Sequence, residues 1–178
     1  MKYLFYCQES SNRSLTKLNL GTQYKFEFWR PTIINIIPPG LSVFPFTIWW
    51  FMHYLHIFKN NDYELFLVYD GKTLVHRSGI FPGYFRFPFM AKNDLQIGDI
   101  WTHPIHRGRG ISSFAIQQIF ISRSKPGRKF WYVVENNNLP SIKVIEKIGF
   151  RKVGEGIRKK RFGLRFLGSY EMTTVYDK

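Results

Sequence analysis

Short runs of apolar residues with strand-like alternation recur along the chain. Residues Asp70 and Gly71 separate two of these runs, which is a tight-turn signal and predicts a hairpin. The polar stretch SSNRSLTKLNLGTQ holds too few apolar residues for more than a short helix or a loop. We predict strands at KYLFYCQ, YELFLVY, KTLVHRSGIF, LQIGDIWT, KFWYVVE, FRKVGEGIRKK and LGSYEMTTVY.

Three segments have the periodicity and the end signals of helices. The first is the apolar run after Pro45, a residue that suits a first helical turn, and we expect this helix to be buried. The second begins after Gly108 and stops before Pro126. The third has Pro140 in its first turn and Gly149 as its left-handed cap. Strands, then strand-helix-strand-helix, then strands predict one mixed α/β domain over residues 1–178.

The charge of the chain is large for its length. Its 178 residues hold 26 Lys and Arg against 12 Asp and Glu, a formal net charge of +14. This excess predicts an acidic partner, which could be a phosphate-bearing small molecule, nucleic acid or an anionic membrane. The single cysteine, Cys7, excludes an internal disulfide and a cysteine zinc cluster, and we expect no metal. The apolar run within MKYLFYCQESS is too short for a secretory signal, so a cytoplasmic location is expected.

Residues 31–58 contain no Lys, Arg, Asp or Glu, which raises the question of a membrane segment. Pro45 interrupts the stretch and leaves a run of about 13 residues, short of the roughly 20 that a spanning helix needs. We therefore expect no transmembrane helix. Trp49, Trp50 and Tyr54 are residues typical of a membrane interface, so contact with the inner face of a membrane stays open.

The stretch HRGRGIS places glycines and arginines between a predicted strand and a predicted helix. Because glycine has no side chain, an anion can approach the backbone N–H groups of the first helical turn, and phosphate is the expected ligand. A P-loop is excluded because no Gly-Lys-Ser/Thr follows. A dinucleotide fingerprint would need a third glycine where Ser113 stands, although Glu135 mimics its ribose-binding acid. A coenzyme A site and a plain basic helix start remain beside the dinucleotide fold, which this departure disfavours.

Two motifs choose among these alternatives. The segment IGDIWTHPIHRGRGIS resembles the fourth strand and the Arg/Gln-x-x-Gly-x-Gly/Ala signature of the GNAT superfamily of N-acetyltransferases, and NLPSIKVIEKIGF is similar to a second motif of that family. The resemblance is specific over residues 95–153. It implies a GNAT-like, mixed, mostly antiparallel central sheet, flanked by helices, in which the fourth and fifth strands, LQIGDIWT and KFWYVVE, splay apart.

The resemblance also implies acetyl coenzyme A as co-substrate, held in the opening between these two strands. Backbone N–H groups at the helix start would hold its pyrophosphate, and the fourth strand and the second motif would hold its pantetheine arm. Carried over by position, the binding residues are Ile100, Trp101, Thr102, Arg107, Gly108, Arg109, Gly110, Ile111, Ser112, Asn138 and Ser141.

The chemistry implied is direct attack of a neutral amine on the thioester. Asp99 is the expected proton acceptor, with His103 as the alternative. The chain departs from the family at Ile145, where many members carry a Tyr that protonates the leaving thiolate. Tyr132 and Ser141 are the candidates to replace it.

The acceptor amine is expected near the aromatic loop FPGYFRFPFM. Tyr84, Phe85 and Arg86, with His76 on the preceding strand, form a combination suited to a sugar or base beside a phosphate. The segment VHRSGIFPGYFRFPFM, together with DIWTHP, also resembles GNAT-type proteins of bacterial surface-polysaccharide pathways, which implies a nucleotide-linked amino sugar as acceptor.

Other functions stay open at this stage. One is acetylation of a protein or peptide amine. Another is a non-catalytic module that binds coenzyme A, RNA or membrane, because a fold does not fix a function. Nucleic acid is the less expected partner, and a homodimer is left open.

Overall fold

The computed structural model describes residues 1–10, 18–38, 40–41, 43–161 and 163–176. Within these residues one sheet carries helices on both faces. Its strands are β1 (Lys2–Glu9), β2 (Tyr24–Trp29), β3 (Glu64–Asp70), β4 (Thr73–Pro82), β5 (Leu95–Thr102), β6 (Lys129–Glu135), β7 (Arg151–Arg161) and β8 (Leu164–Val175). The helices are α1 (Val43–Tyr54), α2 (Ile111–Arg123) and α3 (Leu139–Ile148), with a single 3₁₀ turn at Pro104–His106.

All seven predicted strands and all three predicted helices are present. The strand β2 was not predicted, although its sequence YKFEFW alternates between apolar and polar residues; it is a six-residue strand at the edge of the sheet, and half of its side chains are exposed. The strands that the sequence suggests as fourth and fifth are therefore β5 and β6. Residues 11–17, part of the polar stretch for which a short helix or loop was expected, lie outside the described residues.

The strand order is β2-β3-β4-β5-β6-β1-β7-β8, and the pairings are antiparallel except for that of β5 with β6. This confirms the predicted fold class. The parallel ladder holds only two pairs, Leu95 with Phe130 and Gln96 with Trp131. Just beyond it the β4–β5 register shifts, and Asp99 has a φ of 46°. Such a bulge bends a strand, and here β5 diverges from β6.

Two apolar clusters pack on opposite faces of the sheet. On one face α2 and α3 bury residues that include Phe114, Ile119, Phe130, Ile145 and Phe150. On the other face α1 and the loop after β4 bury residues that include Phe46, Met52, Phe81, Phe87 and Trp131. Both clusters span strands from the two sides of the β5–β6 opening, so the sheet stays one body although these two strands separate.

The prediction that α1 is buried is correct for only one of its sides. Phe46 and Met52 face the sheet, whereas Ile48, Phe51 and Leu55 follow at helical spacing on the outside and are exposed. An apolar run without polar positions indicates burial, but here no described residue covers the outer side. At 12 residues α1 is also too short to cross a bilayer, and no helix in the described ranges meets that requirement.

Candidate functional site

A cleft of about 650 Å³ lies where β5 and β6 separate, on the face of the sheet that carries α2 and α3. It contains ten of the eleven predicted cofactor-binding residues and also Tyr132. Its lining is Ile100, Trp101, Thr102, His106, Arg107, Gly108, Gly110, Ile111, Ser112, Ser113, Ile116, Tyr132, Asn138, Pro140, Ser141, Lys143, Val144 and Lys147.

The start of α2 forms one end of this cleft. Gly108 and Gly110 have φ values of 76° and 77°, which L side chains rarely adopt, and a Cβ at either position would meet nothing within 4 Å. The first N–H groups of a helix lack partners within that helix and carry the positive end of its dipole. The cleft therefore presents open space, bare backbone and several N–H donors at one point, which suits an anion.

Lysines on α3 add positive charge that the sequence interpretation missed. Lys143 and Lys147 are one turn apart and both line the cleft, opposite the start of α2. The sequence could have indicated these lysines, because their i, i+4 spacing places both on one side of the helix, away from the buried Ile145 and Ile148. Arg107 also lines the cleft, and its Nε donates to the Thr102 carbonyl oxygen at 3.1 Å.

Arg109 is the predicted cofactor-binding residue that does not line the cleft. Its guanidinium donates to the Tyr24 hydroxyl at 3.3 Å, and that hydroxyl lies 2.9 Å from Nδ1 of His106. The position follows from β2, the strand that the sequence did not reveal, since β2 supplies Tyr24.

A chain of hydrogen-bonded polar side chains links the buried interior of β4 to the start of α2 at the cleft. His76 is fully buried, with Nε2 2.8 Å from the Ser78 hydroxyl and Nδ1 2.7 Å from the Thr102 hydroxyl. Thr102 in turn lies 3.1 Å from the Ser112 hydroxyl in the first turn of α2. His76 was expected to contact the acceptor, but it lies in the interior and instead fixes Thr102 and Ser112 at the cleft.

Burial, and then the charge of Arg77, lower the pKa of His76 from 6.5 to about 3. Below pH 6.5 the imidazole therefore becomes protonated in the unfolded chain but stays neutral in the native chain. As the pH falls from 6.5 towards 3, this difference lowers the free energy of unfolding by up to about 1.4 kcal/mol per pH unit. His76→Gln stays neutral throughout. We expect the stability deficit of His76→Gln against wild type to shrink between pH 7 and pH 4.5, measured by urea unfolding; a constant deficit would show that His76 does not titrate this way.

Tyr132 and Ser141 meet where β6 faces α3. Burial raises the pKa of the Tyr132 hydroxyl, and a hydrogen bond with Ser141 partly opposes that rise. The hydroxyl therefore stays protonated at neutral pH and is able to donate into the cleft. Asn138 caps α3 by accepting from the Ser141 N–H at 3.3 Å. Ile145 is fully buried in the core, so this position offers the cleft no polar group.

Asp99 lies on the bulge of β5 and outside the cleft lining. Its carboxylate accepts from Nε of Arg77 at 2.9 Å, and the Arg77 guanidinium lies 5.5 Å from the Trp101 ring and 5.7 Å from the Phe46 ring. Burial, followed by the negative charge of Asp99, raises the pKa of Tyr63, which belongs to the α1-side cluster. Asp99 thus lies towards the α1 face, opposite the cleft.

His103 follows β5 and packs edge-on against Trp101, with ring centroids 5.9 Å apart. Its backbone N–H donates to the Val75 carbonyl oxygen at 2.9 Å. Its Nδ1 is buried and finds no hydrogen-bond partner among the described residues. Where the chain is described, no group of three or more His, Cys, Asp or Glu side chains is arranged to hold a metal ion.

The aromatic loop after β4 packs against β7 and β8. Tyr84 is buried between the rings of its neighbours, so it presents no open face to an acceptor. Phe85 and Arg86 are only half-buried. Arg161 lies 5.8 Å from the Phe85 ring, and the Tyr170 N–H donates to the Arg86 carbonyl oxygen at 2.8 Å.

A family model described as the acetyltransferase (GNAT) family matches residues 31–150 of the chain. No curated protein matches the chain. Among solved structures, the chain is similar to a GCN5-related N-acetyltransferase from Sphaerobacter thermophilus, with a TM-score of 0.56 and 12% identity over 86% of this chain and 49% of that one.

Two further solved structures have the same fold. A GNAT-family putative acetyltransferase from Novosphingobium aromaticivorans gives a TM-score of 0.52 and 12% identity over 86% of this chain and 61% of that one. A tandem GNAT protein from the clavulanic acid biosynthesis pathway gives a TM-score of 0.57 and 11% identity over 85% of this chain and 50% of that one. The chain therefore spans 49% to 61% of the length of these three proteins.

Proposed function

Because the chain belongs to the GNAT acetyltransferase family, we propose that it transfers an acetyl group from acetyl coenzyme A to a primary amine, and that this amine belongs to a nucleotide-linked amino sugar. The observation that carries the proposal is the cleft between β5 and β6. There, two positive-φ glycines, the first turn of α2 and two lysines of α3 line one cleft of about 650 Å³ beside the strand edges that β5 and β6 leave unpaired where they separate.

Each part of the cleft suits one part of the co-substrate. The N–H groups from Arg107 to Ser112 would hold the pyrophosphate, and Lys143 and Lys147 would add charge for the phosphates. The β5 backbone at Ile100 and Thr102 would pair with the pantetheine amides, since the parallel ladder ends at Gln96. When bound, acetyl coenzyme A supplies an acetyl group already activated as a thioester.

Tyr132 is the residue we assign to the leaving thiolate. A raised pKa makes its hydroxyl a poor acid against a thiol of pKa near ~8.5, so full proton transfer is unfavourable. It can still donate a hydrogen bond that stabilises the negative sulfur as the bond to carbon breaks. Ser141, which hydrogen-bonds Tyr132, holds that hydroxyl in place. The sulfur then takes its proton from solvent.

Asp99 is the residue we assign to the attacking amine. Its position on the β5 bulge, towards the α1 face, lets an amine approach the splayed strands from the side opposite the cleft. The carboxylate accepts the proton that the amine loses, directly or through water, and Arg77 orients it. His103, whose Nδ1 finds no partner among the described residues, is the alternative acceptor.

The proposed acceptor class is supported by the charge and the aromatic content near the β7–β8 hairpin. Phe85 and Arg86 lie beside Arg158 and Arg161, and Arg158 lies 5.5 Å from the Tyr170 ring. Arginines among aromatic rings favour a ligand that carries both a flat ring and phosphate. A nucleotide-linked amino sugar has both, together with an amine, whereas a protein amine would favour an open acidic groove.

The test is release of free thiol from acetyl coenzyme A in the presence of candidate amines. The panel holds nucleotide-linked amino sugars, the same sugars without the nucleotide, a polyamine and a peptide amine. We expect turnover on a nucleotide-linked sugar and weaker turnover on its free form. Turnover confined to the peptide would overturn the acceptor class, and binding of coenzyme A without turnover on any amine would favour a non-catalytic module.

A matched pair of variants tests the role of Asp99 with the amine that turns over. Asp99→Asn removes the proton acceptor, and Arg77→Gln breaks the same ion pair but keeps the carboxylate. We expect Asp99→Asn to lower kcat by about tenfold, a modest loss because water reaches this exposed site, and Arg77→Gln to change it by less than about threefold. Equal losses in the two variants would mean that Asp99 serves only the ion pair.

A further inference from the structure

We propose that the outer side of α1 and the neighbouring loop form a docking surface for an anionic lipid membrane. This inference is independent of the proposed catalysis. The docking surface comprises large apolar side chains that are strongly exposed. They are Ile33 (75%), Ile34 (96%), Ile48 (43%), Phe51 (52%), Leu55 (66%) and Ile57 (42%).

The surface is built from two segments that hold each other in place. The indole N–H of Trp50 donates to the Thr32 carbonyl oxygen at 2.9 Å, and the Tyr54 hydroxyl donates to that of Pro31 at 3.4 Å. Trp50 also packs against Phe51, with ring centroids 5.0 Å apart. The loop that carries Ile33 and Ile34 is thereby held against α1, next to Phe51.

The composition of α1 indicates that something covers its outer side. Helices that are apolar all round are normally buried, and large exposed apolar patches mark interaction sites. The inner side of α1 already packs on the sheet through Phe46 and Met52. Its outer side would be stabilised by contact with a further apolar medium. At 12 residues α1 can lie in a membrane interface but cannot cross a bilayer.

Charge decides which apolar phase fits. Residues 31–58 contain no Lys, Arg, Asp or Glu, whereas basic residues bracket the surface. Arg30 precedes it and pairs with the buried carboxylate of Glu64, Lys59 follows it, and Lys92 lies beside that end because the Asn60 side chain donates to the Lys92 carbonyl oxygen at 2.7 Å. An apolar surface rimmed by basic residues matches an anionic bilayer, in which acyl chains lie beneath acidic headgroups.

A second copy of the chain is the weaker occupant on the same grounds. Pairing two docking surfaces would bring together two bodies that each carry a formal charge of +14 and would set their basic rims against one another. Trp50 and Tyr54 are also residues that membrane interfaces favour, because one end of each ring is apolar and the other is polar.

The test measures co-sedimentation of the whole chain with vesicles of phosphatidylcholine alone and of phosphatidylcholine with phosphatidylglycerol in equal parts. We expect binding to the anionic vesicles that weakens as salt rises. Ile34→Glu combined with Phe51→Glu should lower the partition coefficient by at least about tenfold, because two apolar groups leave the lipid and two negative charges approach its headgroups. Thermal unfolding checks that the variant folds.

The matched control is Ile121→Glu on α2, whose side chain is 50% exposed against 52% for Phe51. Used singly beside Phe51→Glu, it changes the chain by the same charge on another helix, and we expect less than a twofold effect on partition. Equal losses from the two substitutions would overturn the proposal. So would a failure of wild type to sediment with anionic vesicles, or sedimentation velocity showing a dimer that Phe51→Glu dissociates.

Discussion

Replacing Gly110 with Asp should weaken binding of acetyl coenzyme A by about 100-fold, or about 2.7 kcal/mol. Gly110 is the N-cap of α2 and lines the cleft. A carboxylate there competes for the N–H groups that would hold the pyrophosphate, and it places a negative charge against two further negative charges. Isothermal titration calorimetry with acetyl coenzyme A measures the loss.

Gly127 provides the matched control for this substitution. It also has a positive φ, 71°, with nothing within 4 Å of an added Cβ, and it lies in the turn after α2, outside the cleft lining. Gly127→Asp therefore carries the same backbone strain, about 1 kcal/mol, and the same charge. We expect its affinity for acetyl coenzyme A to stay within about twofold of wild type. Comparable losses in both variants would mean that strain or charge, and not a carboxylate at the pyrophosphate site, causes the effect; no loss in Gly110→Asp would place the cofactor elsewhere.

Replacing Tyr132 with Phe should lower kcat by about 100-fold while the affinity for acetyl coenzyme A stays nearly unchanged. The substitution keeps the ring in the core and removes only the hydroxyl that we propose to face the leaving sulfur. A hydrogen bond made to charge that develops in the transition state affects the rate of the chemical step far more than it affects binding. Single-turnover kinetics with the amine that turns over separate the two effects.

The control is Tyr6→Phe on the neighbouring strand. Tyr6 is the register partner of Tyr132 across β1 and β6, and its hydroxyl donates to a carboxylate oxygen of Glu146 at 2.7 Å. Losing that bond should cost about 1 to 2 kcal/mol of stability without changing kcat by more than about twofold. If Tyr6→Phe slows the reaction as much as Tyr132→Phe, the effect is one of packing and the assignment of Tyr132 is wrong.

Local patterns predicted most of the elements, because strands and helices that bury one face leave a periodic trace in the sequence. The exception was β2, whose trace is present but short, since only six residues, YKFEFW, alternate between apolar and polar. The position of β1 between β6 and β7 has no local signal at all, since pairing between distant strands depends on the whole sheet. The splayed opening between β5 and β6 was expected only from the resemblance of two motifs to a known family.

The site was predictable where it rests on backbone and less so where it rests on side-chain register. The glycines at the start of α2 are visible in the sequence, and the positive φ angles of the backbone there favour glycine. The pairing of Asp99 with Arg77 depends on the bulge that shifts the β4–β5 register. The burial of His76 depends on what covers β4, which its own segment does not reveal.

A crystal structure of the chain grown with acetyl coenzyme A would show directly whether the cleft binds the co-substrate as proposed. We expect the pyrophosphate within hydrogen-bonding distance of the N–H groups from Arg107 to Ser112, and the thioester sulfur beside the Tyr132 hydroxyl. Coenzyme A bound outside the β5–β6 cleft, or in the cleft with its thiol end away from Tyr132, would contradict the proposal.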